Sequence, residues 1–174
     1  MRRRRVRIVT DEGAGMSELP TADEVALWQK RLAGQANNRA WTLAEQLSRS
    51  AAEDDEMLQA AHAAMYFWAI VGDASQQAHA AQLLGHVYGL LNQPKEALRY
   101  LSRSEPLFFA ESAETWERAL AYVVAANVAA AKADLVTYQV HFDRATEEMA
   151  QLASDDERGI VHAALQAVPV PPRR

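Results

Sequence analysis

Histidine has the most versatile chemistry of the residue types in this sequence, since its ring transfers protons near neutral pH and binds metals. His79 and His86 are seven residues apart. In a helix they would share a face but lie about 10.5 Å apart along the axis, which is too far to share one metal ion. With Gln82 between them, they predict either a polar strip on a partner-binding face or a pair of solvated surface histidines.

Two further sets of polar side chains interrupt apolar segments. His62, Tyr66 and Trp68 lie close together in the sequence. They predict either a pocket lining or core packing in which the polar tips find partners. Asn127 interrupts the apolar run 119–131. Because a buried amide needs hydrogen-bond partners, Asn127 predicts either a groove contact or a bond between helices.

The motifs of common catalytic sites are absent from the sequence. It contains no cysteine, which excludes disulfides, thiolate metal sites and cysteine nucleophiles. It contains no G-x-S-x-G, no phosphate-binding loop, no H-E-x-x-H and no E-x-x-H. The acidic turns 54–56 and 155–157 suit the positive ends of helix dipoles and need no metal. We therefore predict no enzymatic activity, no metal site and no cofactor.

The elements that must position these side chains are predicted to be helices. Alanine makes up 35 of the 174 residues and loses no side-chain entropy in a helix. Apolar residues recur at helical spacing, and no segment alternates as a strand would. We predict an all-α fold of about eight helices. The first is expected to end near Gly34, the second to begin near Asn38, and Pro106 is expected to end the fifth.

One helix pair carries a recognisable motif. Leu84, Gly85 and Tyr88 lie on its first helix and Ala97 and Leu101 on its second. Gly85 and Ala97 are small, so they predict a close approach of the two helices. The spacing resembles a tetratricopeptide repeat, a 34-residue helix pair, over residues 78–111.

A second, weaker unit covers residues 119–152, with Tyr138 offset from Ala97 by 41 residues, not 34. The segment 61–72 is also similar to uncharacterised bacterial proteins of tetratricopeptide-like type. The resemblance implies an antiparallel array of helix hairpins, wound as a right-handed superhelix, and implies no enzymatic activity. It would place four side chains on the concave face for a partner: His79, Gln82, His86 and Asn127.

The two ends of the chain differ in composition from the middle. Residues 1–20 contain five arginines and are predicted to be a disordered basic tail. Three interpretations are open. Translation starts at Met16 and residues 1–15 are an artefact, or the segment is a solvated tail, or it is a functional arm. A helical domain is predicted over residues 21–166 and a short proline- and arginine-containing tail over 167–174.

The charge distribution argues against nucleic acid as a partner. The net charge of −5 divides into +3 for residues 1–15 and −8 for the remainder, and an acidic body repels phosphate. The longest apolar run has thirteen residues, short of the roughly 20 needed to cross a bilayer. The absence of a secretion signal and the arginine-rich, alanine-rich composition favour a bacterial, cytoplasmic protein.

These observations lead to two functional hypotheses. The first is a non-enzymatic helical-repeat module that binds a protein, a peptide or a second copy of itself. The second is a compact helical bundle with a small-molecule pocket near His62, Tyr66 and Trp68.

Overall fold

The computed structural model describes residues 19–171, and within them the chain forms helices and no strand. The predicted all-α class is confirmed. The described residues form seven helices where about eight were expected. They are α1 (Ala22–Ala44), α2 (Ala51–Val71), α3 (Ala74–Leu90), α4 (Pro94–Phe108), α5 (Thr115–Ala131), α6 (Leu135–Ala150) and α7 (Asp155–Ala167). The predictions for the N-terminal arginines and for Met16 lie outside the described residues.

The predicted break between the first two helices is wrong, because α1 continues through Gly34. No left-handed glycine conformation ends the helix there. A single interior glycine costs about 1 kcal/mol relative to alanine. The second half of α1 offsets that cost by burying Ala40, Leu43 and Ala44 completely.

Pro106 does not end its helix, contrary to the prediction. It lies inside α4, which continues to Phe108. The missing proline N–H and the ring clash cost about 3 kcal/mol in a helix interior. Phe108 is fully buried in the final turn, and burying a phenylalanine side chain contributes about 1.5–3 kcal/mol. Packing of this one side chain therefore offsets much of the cost of the proline.

The helices form three antiparallel hairpins, α1–α2, α3–α4 and α5–α6, followed by α7. The odd-numbered helices contact one another in succession: α1 packs on α3, α3 on α5, and α5 on α7. The even-numbered helices contact the first helix of the next hairpin. The odd-numbered helices therefore form a continuous row of neighbours from α1 to α7.

The close approach predicted from Gly85 is confirmed. A Cβ atom on Gly85 would lie 3.2 Å from the Leu101 nitrogen and 3.4 Å from the Ala97 carbonyl oxygen. Contacts this short leave little room for any side chain at position 85, so glycine allows α3 and α4 to pack closely.

Two hairpins turn in the same way. Asn92 after α3 and Ala133 after α5 adopt left-handed conformations, with φ of 55° and 54°. At each turn the backbone N–H of the left-handed residue and that of the residue after it bond back to the helix, a Schellman arrangement. The two turns are 41 residues apart, the same offset that separates Ala97 from Tyr138. The hairpins α3–α4 and α5–α6 thus share one turn geometry.

The C-terminal segment packs against the helices. After α7 ends at Ala167, Val168 is buried in a core cluster with residues of α5, α6 and α7, and Pro171 is also buried. None of the described helices is long and apolar enough to cross a membrane.

Candidate functional site

A cavity of about 410 Å³ opens between α1, α3 and α5, with single contributions from α2 and α7. Its lining combines aromatic, amide, carboxylate and aliphatic side chains. The lining residues are Asn37, Asn38, Trp41, Glu45, Trp68, Gln76, His79, Trp116, Leu120 and Ile160.

Tryptophan dominates the apolar part of the lining. Trp41, Trp68 and Trp116 line the cavity, and they are three of the four tryptophans in the chain. The Trp41 ring stacks on His86 with 5.4 Å between ring centroids. The Trp116 ring stacks on His79 at 5.6 Å and is nearly parallel to it. Two of the three indoles are therefore held in place by histidine rings.

His79 joins two helices at the wall of the cavity. Its Nε2 lies 2.9 Å from the Glu117 Oε1, which links α3 to α5. Phe108 also packs against the imidazole, with ring centroids 4.6 Å apart. These contacts fix the orientation of the His79 ring and, through stacking, that of Trp116.

Glu45 is the carboxylate of the lining and lies at the C-terminal end of α1. This helix end carries partial negative charge, which disfavours a carboxylate. Among residues 19–171 no side chain hydrogen-bonds or ion-pairs with the Glu45 carboxylate. Burial raises the pKa of Glu45. The nearby guanidinium of Arg49 instead binds Asp54 and the backbone carbonyls of Leu43, Ala44 and Gln46.

Behind the cavity, α3 and α5 bury three polar side chains completely: Gln82, His86 and Asn127. The Asn127 Nδ2 donates to the His86 backbone oxygen at 2.7 Å and lies 3.2 Å from the His86 Nδ1. Because Nδ2 is a donor, His86 Nδ1 must be the acceptor, which places the ring proton on Nε2.

Burial lowers the pKa of His86 to about 3, and the positive charge of Arg49 contributes in the same direction. The imidazole is therefore neutral at physiological pH. Within the described part of the chain, the His86 Nε2, both Gln82 amide atoms and the Asn127 Oδ1 have no hydrogen-bond partner. This polar cluster is sealed between helices.

The structure separates the four side chains that the sequence grouped as partner-binding. His79 lines the cavity, whereas Gln82, His86 and Asn127 are buried and present no accessible surface to a partner. The alternative of solvated histidines does not hold for His86. Asn127 forms a hydrogen bond between α5 and α3, which was one of the two interpretations offered by the sequence.

The three side chains expected to form a pocket also lie apart. Trp68 lines the cavity, while Tyr66 is 64% exposed and packs edge-on against Phe67. His62 is exposed, and its Nε2 lies 2.8 Å from the Tyr88 hydroxyl. The described residues contain no group of histidine and acidic side chains able to hold a metal ion.

Sequence reasoning missed most of the cavity lining because its residues come from five helices that only the folded chain brings together. Within the α1 segment, Asn37, Asn38, Trp41 and Glu45 fall on one helical face, at spacings of three and four residues. Two adjacent asparagines one turn before a tryptophan are a signal that this face is not ordinary core.

A second accessible apolar surface lies at the start of α1. Val25, Leu27, Trp28 and Leu32 are exposed there, with Trp28 exposed by 60%. None of these four side chains lines the cavity. Trp28 therefore serves as an internal comparison for the three cavity tryptophans.

The fold and the cavity together define an all-helical protein with a tryptophan-lined site between successive hairpins. Comparisons of the chain with protein-family models, with curated proteins and with solved structures find no match.

Proposed function

We propose that this chain is a non-enzymatic helical-repeat module that binds an extended segment of a protein or peptide in the cavity between α1, α3 and α5. The observation that carries the proposal is the lining: three tryptophans and three side-chain amides meet in one cavity of about 410 Å³.

The amides suit a peptide backbone. Asn37 and Asn38 each offer one carbonyl acceptor and one NH₂ donor, and Gln76, whose Oε1 accepts the Asp73 backbone N–H, offers its NH₂ donor. A peptide group has the complementary pair, one N–H and one C=O. Tryptophan supplies a large apolar contact area with few rotatable bonds, which is why it is enriched at binding hot spots. The lining thus matches an extended peptide segment whose backbone bonds to the amides and whose apolar side-chain carbons enter the cavity.

The arrangement of helices supports the same proposal. Successive hairpins with odd-numbered helices in contact are typical of tetratricopeptide-like arrays, and repeat folds present a concave surface to partners. We propose the right-handed superhelix of that class for this chain, acting in the bacterial cytoplasm. The bound segment could belong to another protein or to a second copy of this chain.

A small-molecule ligand is the second candidate. The volume of about 410 Å³ falls within the range of pockets that hold small ligands, roughly 300–1,000 Å³. The residues involved would be those of the cavity, including Trp68, while His62 and Tyr66 lie elsewhere. Direct measurement of peptide binding separates the two candidates.

The test is selection of random peptides displayed on phage against the immobilised chain, followed by affinity measurement with synthetic peptides. We expect a shared sequence motif, and we expect Trp116→Ala to weaken binding at least tenfold, since it removes one wall of the cavity. Trp28→Ala is the matched control and should bind as the wild type does, because Trp28 lies outside the cavity.

Two results would overturn the proposal. One is the absence of any peptide above background, which would leave the small-molecule candidate. The other is a set of peptides whose binding is lost in Trp28→Ala and retained in Trp116→Ala, which would move the partner to the exposed face of α1.

A further inference from the structure

We propose that the cavity recognises a positively charged alkylammonium or guanidinium group, held against the tryptophan faces and paired with Glu45. This inference rests on the proposed function, since it names the kind of side chain that the bound peptide would insert.

The aromatic lining is the first argument. Indole faces carry negative electrostatic potential, and tryptophan is the strongest of the aromatic side chains in cation–π contacts. Trp41, Trp68 and Trp116 border the same cavity. Sites that enclose a cation with several aromatic faces and one carboxylate gain from both interactions, because the surrounding rings exclude water.

The charge balance of the lining is the second argument. Neither lysine nor arginine borders the cavity, and Glu45 contributes a carboxylate. The remaining titratable side chain of the lining, His79, is engaged with the carboxylate of Glu117. A cation entering the cavity would therefore meet the Glu45 carboxylate, while the nearby guanidinium of Arg49 lies outside the lining and is bound by Asp54 and three backbone carbonyls.

The position of Glu45 is the third argument. It lies at the negative end of α1, it is partly desolvated, and no side chain within residues 19–171 pairs with it. Each of these features disfavours a carboxylate in the unliganded protein, and all three become favourable when a cation binds. Residues that break local rules for stability are concentrated at functional sites.

The inference is tested with three small probes: N-acetyl-lysine methylamide, N-acetyl-arginine methylamide and N-acetyl-norleucine methylamide. Norleucine keeps the apolar stem of lysine and lacks the charge. We expect the two cationic probes to shift the indole signals of the cavity tryptophans at concentrations at least tenfold lower than norleucine requires. The same comparison applies to selected peptides in which each lysine is replaced by norleucine.

Glu45→Gln is the matched variant, because it keeps the shape of the side chain and removes the charge. It should weaken the cationic probes at least tenfold and leave norleucine unchanged. Glu111→Gln, at an exposed position, makes the same change in net charge and should have no effect on either class of probe.

The outcomes distinguish this inference from the proposed function. Equal binding of lysine and norleucine peptides in the cavity would show that the cavity does not recognise a cationic group. The proposed peptide binding would be unaffected by that result. If the free cationic probes bind in a Glu45-dependent way and no peptide binds, the cavity recognises a cationic group. That group would then not come from a peptide, and the proposed function would be wrong. If no cationic probe binds, or if Glu45→Gln and Glu111→Gln behave alike, the inference is wrong.

Discussion

At the scale of single residues, His86 shows how a side chain with catalytic chemistry becomes structural. Its ring stacks on Trp41, accepts from Asn127 and is shut off from solvent. The sequence placed it on the same helical face as His79, but spacing alone does not reveal that Trp41 of α1 and Asn127 of α5 cover His86. Because His86 is buried, the stability of the folded protein is expected to depend on pH.

We predict that His86→Phe reduces the loss of stability in acid. Folded His86 stays neutral down to a pH of about 3 because burial lowers its pKa, whereas the unfolded side chain takes up a proton near pH 6.5. The unfolded state therefore binds more protons between these values, and stability falls as the pH is lowered, by up to about 1.4 kcal/mol per pH unit. Phenylalanine keeps a ring against Trp41 and cannot titrate.

Urea denaturation between pH 4.5 and 7.5 measures this difference. His62 and His141, whose pKa values burial also lowers, remain in both proteins and contribute equally to each curve. If the wild type and His86→Phe have identical slopes of stability against pH, folded His86 takes up a proton over the same pH range as unfolded His86, which contradicts the prediction.

At the scale of elements, glycine decides how closely helices approach. Gly85 lets α3 lie against α4, and Gly89 lets the same helix receive the Asn127 side chain from α5. A Cβ on Gly89 would lie 2.6 Å from the Asn127 Nδ2 and 2.7 Å from its Cγ. The two positions should therefore be energetically coupled.

We predict that Gly89→Ala destabilises the wild type and is neutral or stabilising in an Asn127→Ala background. The clash disappears with the amide, and alanine gains about 1 kcal/mol over glycine in a helix. The coupling energy from the double-mutant cycle should exceed about 1 kcal/mol, measured by denaturant unfolding. Gly34→Ala, which meets no atom within 4 Å, is the control and should stabilise both backgrounds. Additive effects at positions 89 and 127 would contradict the packing described here.

Local patterns predicted the helices well where packing agreed with them. The predicted helix pair, which carries Gly85 on its first helix and Ala97 on its second, is present as α3 and α4. The errors fall at Gly34 and Pro106, where a local helix-breaking residue is outweighed by tertiary burial of Leu43 and Phe108. Such burial depends on the partner helix, so no window of sequence reports it.

The cavity was less predictable than the helices for a related reason. Trp41 and Trp116 lie at positions that also suit a core, and helical spacing does not distinguish a buried face from one that borders a cavity. The sequence grouped Trp68 with His62 and Tyr66, as a pocket lining or as core packing, but only Trp68 lines the cavity. To predict the cavity, one would need to know how α1 is placed against α3 and α5. That placement depends on long-range packing.

At the scale of the whole molecule, the hairpins are joined by histidines. Among the described residues, every side-chain hydrogen bond that joins helices of different hairpins involves one: His62 with Tyr88, His79 with Glu117, and His86 with Asn127. The arginine–carboxylate pairs of the described residues lie within a hairpin, as Arg39 with Glu56 and Arg118 with Glu148 do, or within α7. The residues that first suggested chemistry thus hold together the helices that form the cavity.

The central claim is that this cavity is the binding site, and the four tryptophans provide its most direct measurement. In a ¹⁵N-labelled sample each indole N–H gives its own NMR signal, assigned by single Trp→Phe variants. On titration with a selected peptide, we predict that the signals of Trp41, Trp68 and Trp116 shift together with one binding constant, while that of Trp28 stays in place. A shift confined to Trp28, or no shift at any tryptophan with a bound peptide, would contradict the account.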